Sequence, residues 1–223
     1  MRAGFLFKKL VLWVVVFAFT NVCAIGSFYA LYTTKIHMKT EFHFLVSEEK
    51  SVAAGVEFAK LEGGAGYILR YNGKDYVVLS VYLSEKDASF VQEALSNQNR
   101  QTSLICLSFT SLYFRGTQQR KVGVYVGALQ TFYECLSILE RNIERLESGM
   151  TQEKCRAVLL ELKRQFSYMY EIYANVYPDF AVLCGKLVGE LQNIVEDIVY
   201  ASRLRYILCD AVDGYLRLSK EFS

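Results

Sequence analysis

The chain has 223 residues, 52% of them hydrophobic and 22% charged, with 25 basic side chains against 23 acidic ones. That is apolar enough to build a core, which excludes a disordered chain. It is also too balanced in charge for a protein that grips nucleic acid through its phosphates.

In chain order, the first feature is residues 10–32, LVLWVVVFAFTNVCAIGSFYALY, which carry no charge. A bilayer core is spanned by about 20 apolar residues in a helix. Arg2, Lys8 and Lys9 precede the run, and Lys35 and Lys39 follow it. This flank favours a cytoplasmic N-terminus. Trp13, Tyr29 and Tyr32 suit the interfaces. The alternative is a cleaved signal peptide at Val22-Cys23-Ala24, but the apolar run continues past that point. The expectation is a single-pass anchor over 1–35 in the cytoplasmic membrane. Everything from about residue 36 onward would then lie on its extracytoplasmic side.

A small α/β segment, 36–116, follows. FHFLV (42–46) reads as a strand. SEEKSVAAGVEFAKLEGG (47–64) reads as a helix capped by Ser47, with Glu48 and Glu49 in its first turn and Gly63-Gly64 at its end. AGYILR is a second strand. Asn72-Gly73 is a strong hairpin signal, since both residues accept positive φ. DYVVLSVY is the third strand, Ser84 caps a second helix, and SLICLSFTSLYF (103–114) is the fourth strand. The order is β-α-β-β-α-β.

This order, and the half GKDYVVLSVYLSEKDASFVQEAL with Tyr82, Ser84 and Ala88 after its strand, resembles the SPOR (sporulation-related repeat) domain. The likeness covers about residues 42–110. Leu45 and Ser47 stand where that family usually has Gln and Gly, and Ser80 replaces a common Gly. The resemblance implies a bacterial envelope module that binds peptidoglycan glycan strands in sporulation or cell division. The glycan would lie on the sheet face opposite the two helices. Strand side chains alternate between faces. Val77, Leu79 and Val81 are therefore expected toward the helices, and Tyr76, Val78 and Ser80 away from them. The expected glycan site is His43, Leu45, Tyr76 and Val78, with Tyr76 able to stack on a sugar ring. The alternative is that this face is covered by the helical tail.

Residues 117–223 carry helical periodicity. Tyr125, Leu129, Phe132, Leu136, Leu139, Ile143 and Leu146 follow 4-3 spacing, as do Cys155, Leu159, Leu162, Phe166, Met169, Tyr173 and Val176. Ser148-Gly149 and the cap Thr151 separate the two runs, which reads as an antiparallel hairpin. After Pro178 the pattern runs on from Phe180 to Leu218. That is either one helix or two with a break around 200–214.

No catalytic constellation is visible. The two histidines, His37 and His43, are far in sequence from Cys106, Cys135, Cys155, Cys184 and Cys209, which sit at apolar positions and read as buried thiols. No metal, no cofactor and no nucleic acid are expected. The overall expectation is an α+β protein made of a transmembrane helix, a SPOR-like domain and a helical bundle. It would be non-enzymatic, with peptidoglycan and the membrane as partners. The tail would add a protein partner or self-association. The alternative is a scaffold or assembly protein in which the α/β segment caps the bundle.

Overall fold

The computed structural model describes residues 33–222, so the anchor expected over 10–32 lies outside the described residues. Two compact units are present. One contains His37–Leu112 and Gly123–Ser223, and the other takes Tyr113–Val122 with residues 33–36. The α/β segment over His37–Leu112 and the helices after Gly123 belong to the same unit.

Among the described residues four strands form, β1 (Thr33–Ser47), β2 (Tyr67–Tyr71), β3 (Lys74–Tyr82) and β4 (Thr102–Arg115). They form an antiparallel sheet in the order β2-β3-β1-β4. Helices α1 (Val52–Leu61) and α2 (Glu85–Ser96) connect the split β-α-β halves. β1 is much longer than the five residues expected. Its added part, TTKIHMKT, alternates polar Lys35, His37 and Lys39 with the less exposed Ile36 and Met38, a period of two.

The helix α1 starts later than expected. Ser51, not Ser47, is its N-cap, accepting from the Ala54 N–H at 3.2 Å. Ser47 instead accepts from the Glu49 N–H within a turn, so Glu48 and Glu49 precede the helix. Gly63 ends it with φ +66°, as the Gly-Gly pair led one to expect. Asn72 and Gly73, at φ 50° and 75°, make the β2–β3 turn. The Ser84 cap of α2 is present, accepting from the Asp87 N–H.

One irregularity reorders the sheet. Leu45 pairs with Ser80 but Val46 pairs with Val78, so Leu79 is an extra residue in β3. Its carbonyl accepts from the Ala65 N–H at 2.6 Å. A bulge of one residue reverses the alternation beyond it. Val77, Leu79, Tyr82 and Leu45 accordingly share one cluster with Phe58 and Ala59 of α1 and Ala88 of α2. Ser80, cross-strand partner of Leu45, is on the same side. The expected outward place of Ser80 and inward place of Val81 are thus exchanged.

The remaining helices are α3 (Val122–Glu147), α4 (Gln152–Tyr173), α5 (Pro178–Val195) and α6 (Ala201–Lys220), with a 3-10 turn at Gly116–Lys121. Each packs antiparallel to the next. Between α3 and α4, Phe132 meets Phe166 at 5.4 Å between ring centroids, and Asn142 donates to Cys155 at 3.2 Å. Tyr173 meets Phe180 between α4 and α5, and Lys186 bonds Asp210 between α5 and α6. Residues from α6 return to α3 through Tyr215 on Phe132 and Arg205 on Glu147. The helices thus close an up-and-down four-helix arrangement. Leu129, Phe132, Leu136, Leu159, Leu162 and Phe166, all on the 4-3 spacing, are buried in it.

The break in the last helical run falls at residues 196–200, ahead of the window expected. No Pro or Gly marks it. It is held from α4: the Gln152 side chain donates to the Val199 carbonyl at 3.0 Å and accepts from its N–H at 2.9 Å, and Arg156 donates to the Asp197 carbonyl. Two long-range side chains satisfy backbone groups that a continued helix would have paired itself.

Helix α6 is buried on most of its circumference, including Leu204, Ile207, Leu208, Cys209, Ala211, Val212 and Tyr215. Such a helix is central, not a surface element. It packs on α5, on α3 and on β3 and β2 of the sheet. The Tyr67 hydroxyl donates to Asp213 at 2.9 Å, and the Tyr67 ring meets Tyr206 edge-on. From β1, Phe42 meets Tyr215 at 5.6 Å.

Candidate functional site

The four residues expected to bind glycan do not form one surface. Tyr67 pairs with Val78, and Leu69 with Tyr76. Cross-strand partners share a face, and Tyr67 bonds α6. Tyr76 and Val78 therefore belong to the α6 face. His43 pairs with Tyr82 and Leu45 with Ser80, on the face of α1 and α2. The bulge at Leu79 separates the two pairs, and sequence alternation alone carries no sign of it.

Three of the four are also covered: Val78 is 0% exposed, Leu45 1% and His43 6%. Tyr76 is half-buried. It lines a shallow cleft of about 370 Å³ with Asp75, the turn at 47–51 and Ser103. That cleft is bordered by Glu48, Glu49 and Lys50.

A second cleft, of about 310 Å³, lies where α2, the end of α3 and the start of α6 meet β3. It is lined by Tyr82, Asp87, Phe90, Glu140, Glu144, Glu147 and Arg205 among others. Glu140 accepts from the Leu83 N–H at 2.9 Å, joining α3 to the β3–α2 connection. Burial pushes the Glu140 carboxyl up to about 7, reinforced by Glu144 and Asp87 and opposed by the Leu83 bond and Arg141. Arg205 donates to the Gly63 carbonyl at 2.7 Å and pairs with Glu147 at 2.6 Å. Every polar group of this cleft that is anchored is anchored to another part of the same fold. The arrangement ties α1, α3 and α6 together.

Sequence reasoning passed over Glu140 and Arg205. Glu140 lies next to Leu139 on a helix otherwise rich in surface carboxylates, and only the tertiary contact with Leu83 distinguishes it. Not every cysteine is the buried thiol expected. Cys135, Cys155, Cys184 and Cys209 are buried, but Cys106 is exposed on β4. Burial pushes the Cys135 and Cys184 thiols up to about 12, which keeps them protonated and unreactive. Among the described residues no group of three or more His, Cys, Asp or Glu side chains is placed to hold a metal ion.

Among the described residues, one helical run, Gln118–Glu147, is long and apolar enough to cross a membrane by length and composition. Its apolar side is occupied: Phe132 lies against Phe166, Phe180 and Tyr215. It reads as a core helix.

No protein-family model, no curated protein and no solved structure matches the chain. The likeness to the SPOR domain therefore rests only on the residues and element order that suggested it.

Proposed function

We propose that this chain is a non-enzymatic assembly protein whose α/β segment caps a helical bundle, and whose outward helix faces hold a protein partner. The observation that carries this reading is the cover over the sheet. α1 and α2 take one face and α6 the other, so Val78 at 0% exposure has no surface to offer a sugar. Opening that face would expose the buried rings of Phe42 and Tyr215 to water. Exposed apolar side chains suited to a partner lie on the helices. Tyr168 is 66% exposed, and Leu160 and Ile172 are exposed on the same helix, α4. Leu160, Lys163, Arg164, Ser167, Tyr168 and Glu171 line a groove there. The apolar run at 10–32 supports a single-pass anchor for this assembly, with the sheet and helices outside the cytoplasmic membrane.

Cosedimentation with purified peptidoglycan, intact and stripped of stem peptides, tests it. The full chain in detergent is expected to stay in the supernatant in both cases. Retention that rises after stripping and is lost on Tyr76→Ala would overturn the reading and restore glycan binding.

A further inference from the structure

The sheet has two edges, and they are built differently. The β2 edge is five residues long, carries Arg70 and is followed by the exposed Lys74 and Asp75. Short length and charge are the usual means of keeping an edge from pairing with another strand. The β4 edge is long, and its one charged side chain, Arg115, stands at its end. It is 14 residues long, about 46 Å at the rise of an extended strand. Residues 102–114, TSLICLSFTSLYF, contain no charge and no proline. β1 occupies one side of β4. Among the described residues no backbone bond from outside the sheet reaches residues 103–112 on the other side. The exposed side chains along this stretch are Cys106, Ser108 and Thr110, all small, so a neighbouring backbone can approach closely.

We propose that the β4 edge pairs with the β4 edge of a second copy of this chain, antiparallel about a twofold axis near Ser108. The occupant is a second copy because the strand is complementary to itself. With the axis at Ser108, Cys106 falls opposite Thr110, and Arg115 falls opposite Gln101. No charge meets a like charge, which would otherwise disfavour the pair. An antiparallel pair of identical edges is also closed: it satisfies both free edges at once and leaves the guarded β2 edges at the ends of a continuous eight-stranded sheet. A foreign strand would need no such symmetry. This self-association differs from partner binding through α4 and does not depend on it.

The test uses the full chain in detergent. Light scattering after size exclusion is expected to give twice the chain mass. The pair Ser108→Lys and Thr110→Lys, both at exposed positions, is expected to return it to the single-chain mass with unchanged helix content by circular dichroism. In a Cys23→Ser, Cys106→Ser background, Ser108→Cys is expected to cross-link to a dimer with a short bismaleimide. This second readout decides the matter if the lysine variant misfolds. A wild-type chain that stays single at every concentration reached overturns the proposal. So does a dimer that survives the lysine pair and gives no cross-link when Ser108→Cys is introduced. If that dimer is lost instead on Tyr168→Glu, association runs through α4 and the assembly reading stands without the edge pairing.

Discussion

The two faces of the sheet are covered from different distances along the chain. α1 and α2 are the connections between neighbouring strands, and their residues Phe58, Ala59 and Ala88 reach Val77 and Leu79 directly. The other face waits for α6, which follows β3 only after α3, α4 and α5 have been laid down. A face covered by its own connections closes short loops, whereas one covered by a distant helix requires the intervening bundle to be formed first. The near face is therefore secured by local packing. The far face depends on a few side chains that bridge segments: Tyr215, Arg205 and Tyr67.

Removing Tyr215 should break this dependence most severely. Tyr215→Ala empties a fully buried site among Phe42, Phe109 and Phe132 and is expected to cost about 3–5 kcal/mol, read from denaturant unfolding. Phe58→Ala on the near face should cost less, because Phe58 keeps some exposure. Equal losses would erase the distinction between the faces.

Arg205→Ala comes next, at about 2 kcal/mol. It frees the Gly63 carbonyl and leaves Glu147 without its cation. Arg205→Lys should recover only part of this, since an ammonium lacks the fork that reaches both partners.

Glu140 gives a pH signature. Its carboxyl titrates at about 7 in the folded chain against an ordinary value of 4.5. The unfolded chain thus releases this proton first, so Glu140 lowers stability as pH rises from about 4.5 to 7, and the loss is complete above that. Glu140→Gln keeps an acceptor for the Leu83 N–H and removes the titration. Melting temperatures measured at pH 5 and pH 8 should differ less in the variant, by the equivalent of about 1–2 kcal/mol. An unchanged difference would show that Glu140 is solvated.

The smallest effects compare the faces directly. Tyr67→Phe deletes the bond to Asp213 on the far face and should cost about 1 kcal/mol. Ser51→Ala deletes the α1 cap on the near face and should cost about 0.5–1 kcal/mol, less because the site is exposed. Amide exchange should show the Tyr67 variant loosening α6 and the Ser51 variant loosening only α1.

Much of the local structure was legible. The Asn72-Gly73 turn, the Ser84 and Thr151 caps and the Gly63 stop are each decided by the residues at the position. So are the buried 4-3 positions of α3 and α4. The candidate site was legible only in part. Tyr76 and Val78 do turn away from α1 and α2, as alternation requires. His43 and Leu45 do not join them, because the extra residue Leu79 reverses the alternation across β3. Nor does the chain announce the break at 196–200, which exists because Gln152 and Arg156 reach it from another helix.

The sequence by itself determined the order of elements, most of their caps and turns, and which helix positions are apolar, because these follow from backbone geometry and side-chain period within a few residues. Tertiary structure alone decided the strand register at Leu79, the break before α6 and the burial of the far sheet face. Each of those depends on a contact between residues distant in the chain, and no local pattern encodes the free energy of that contact.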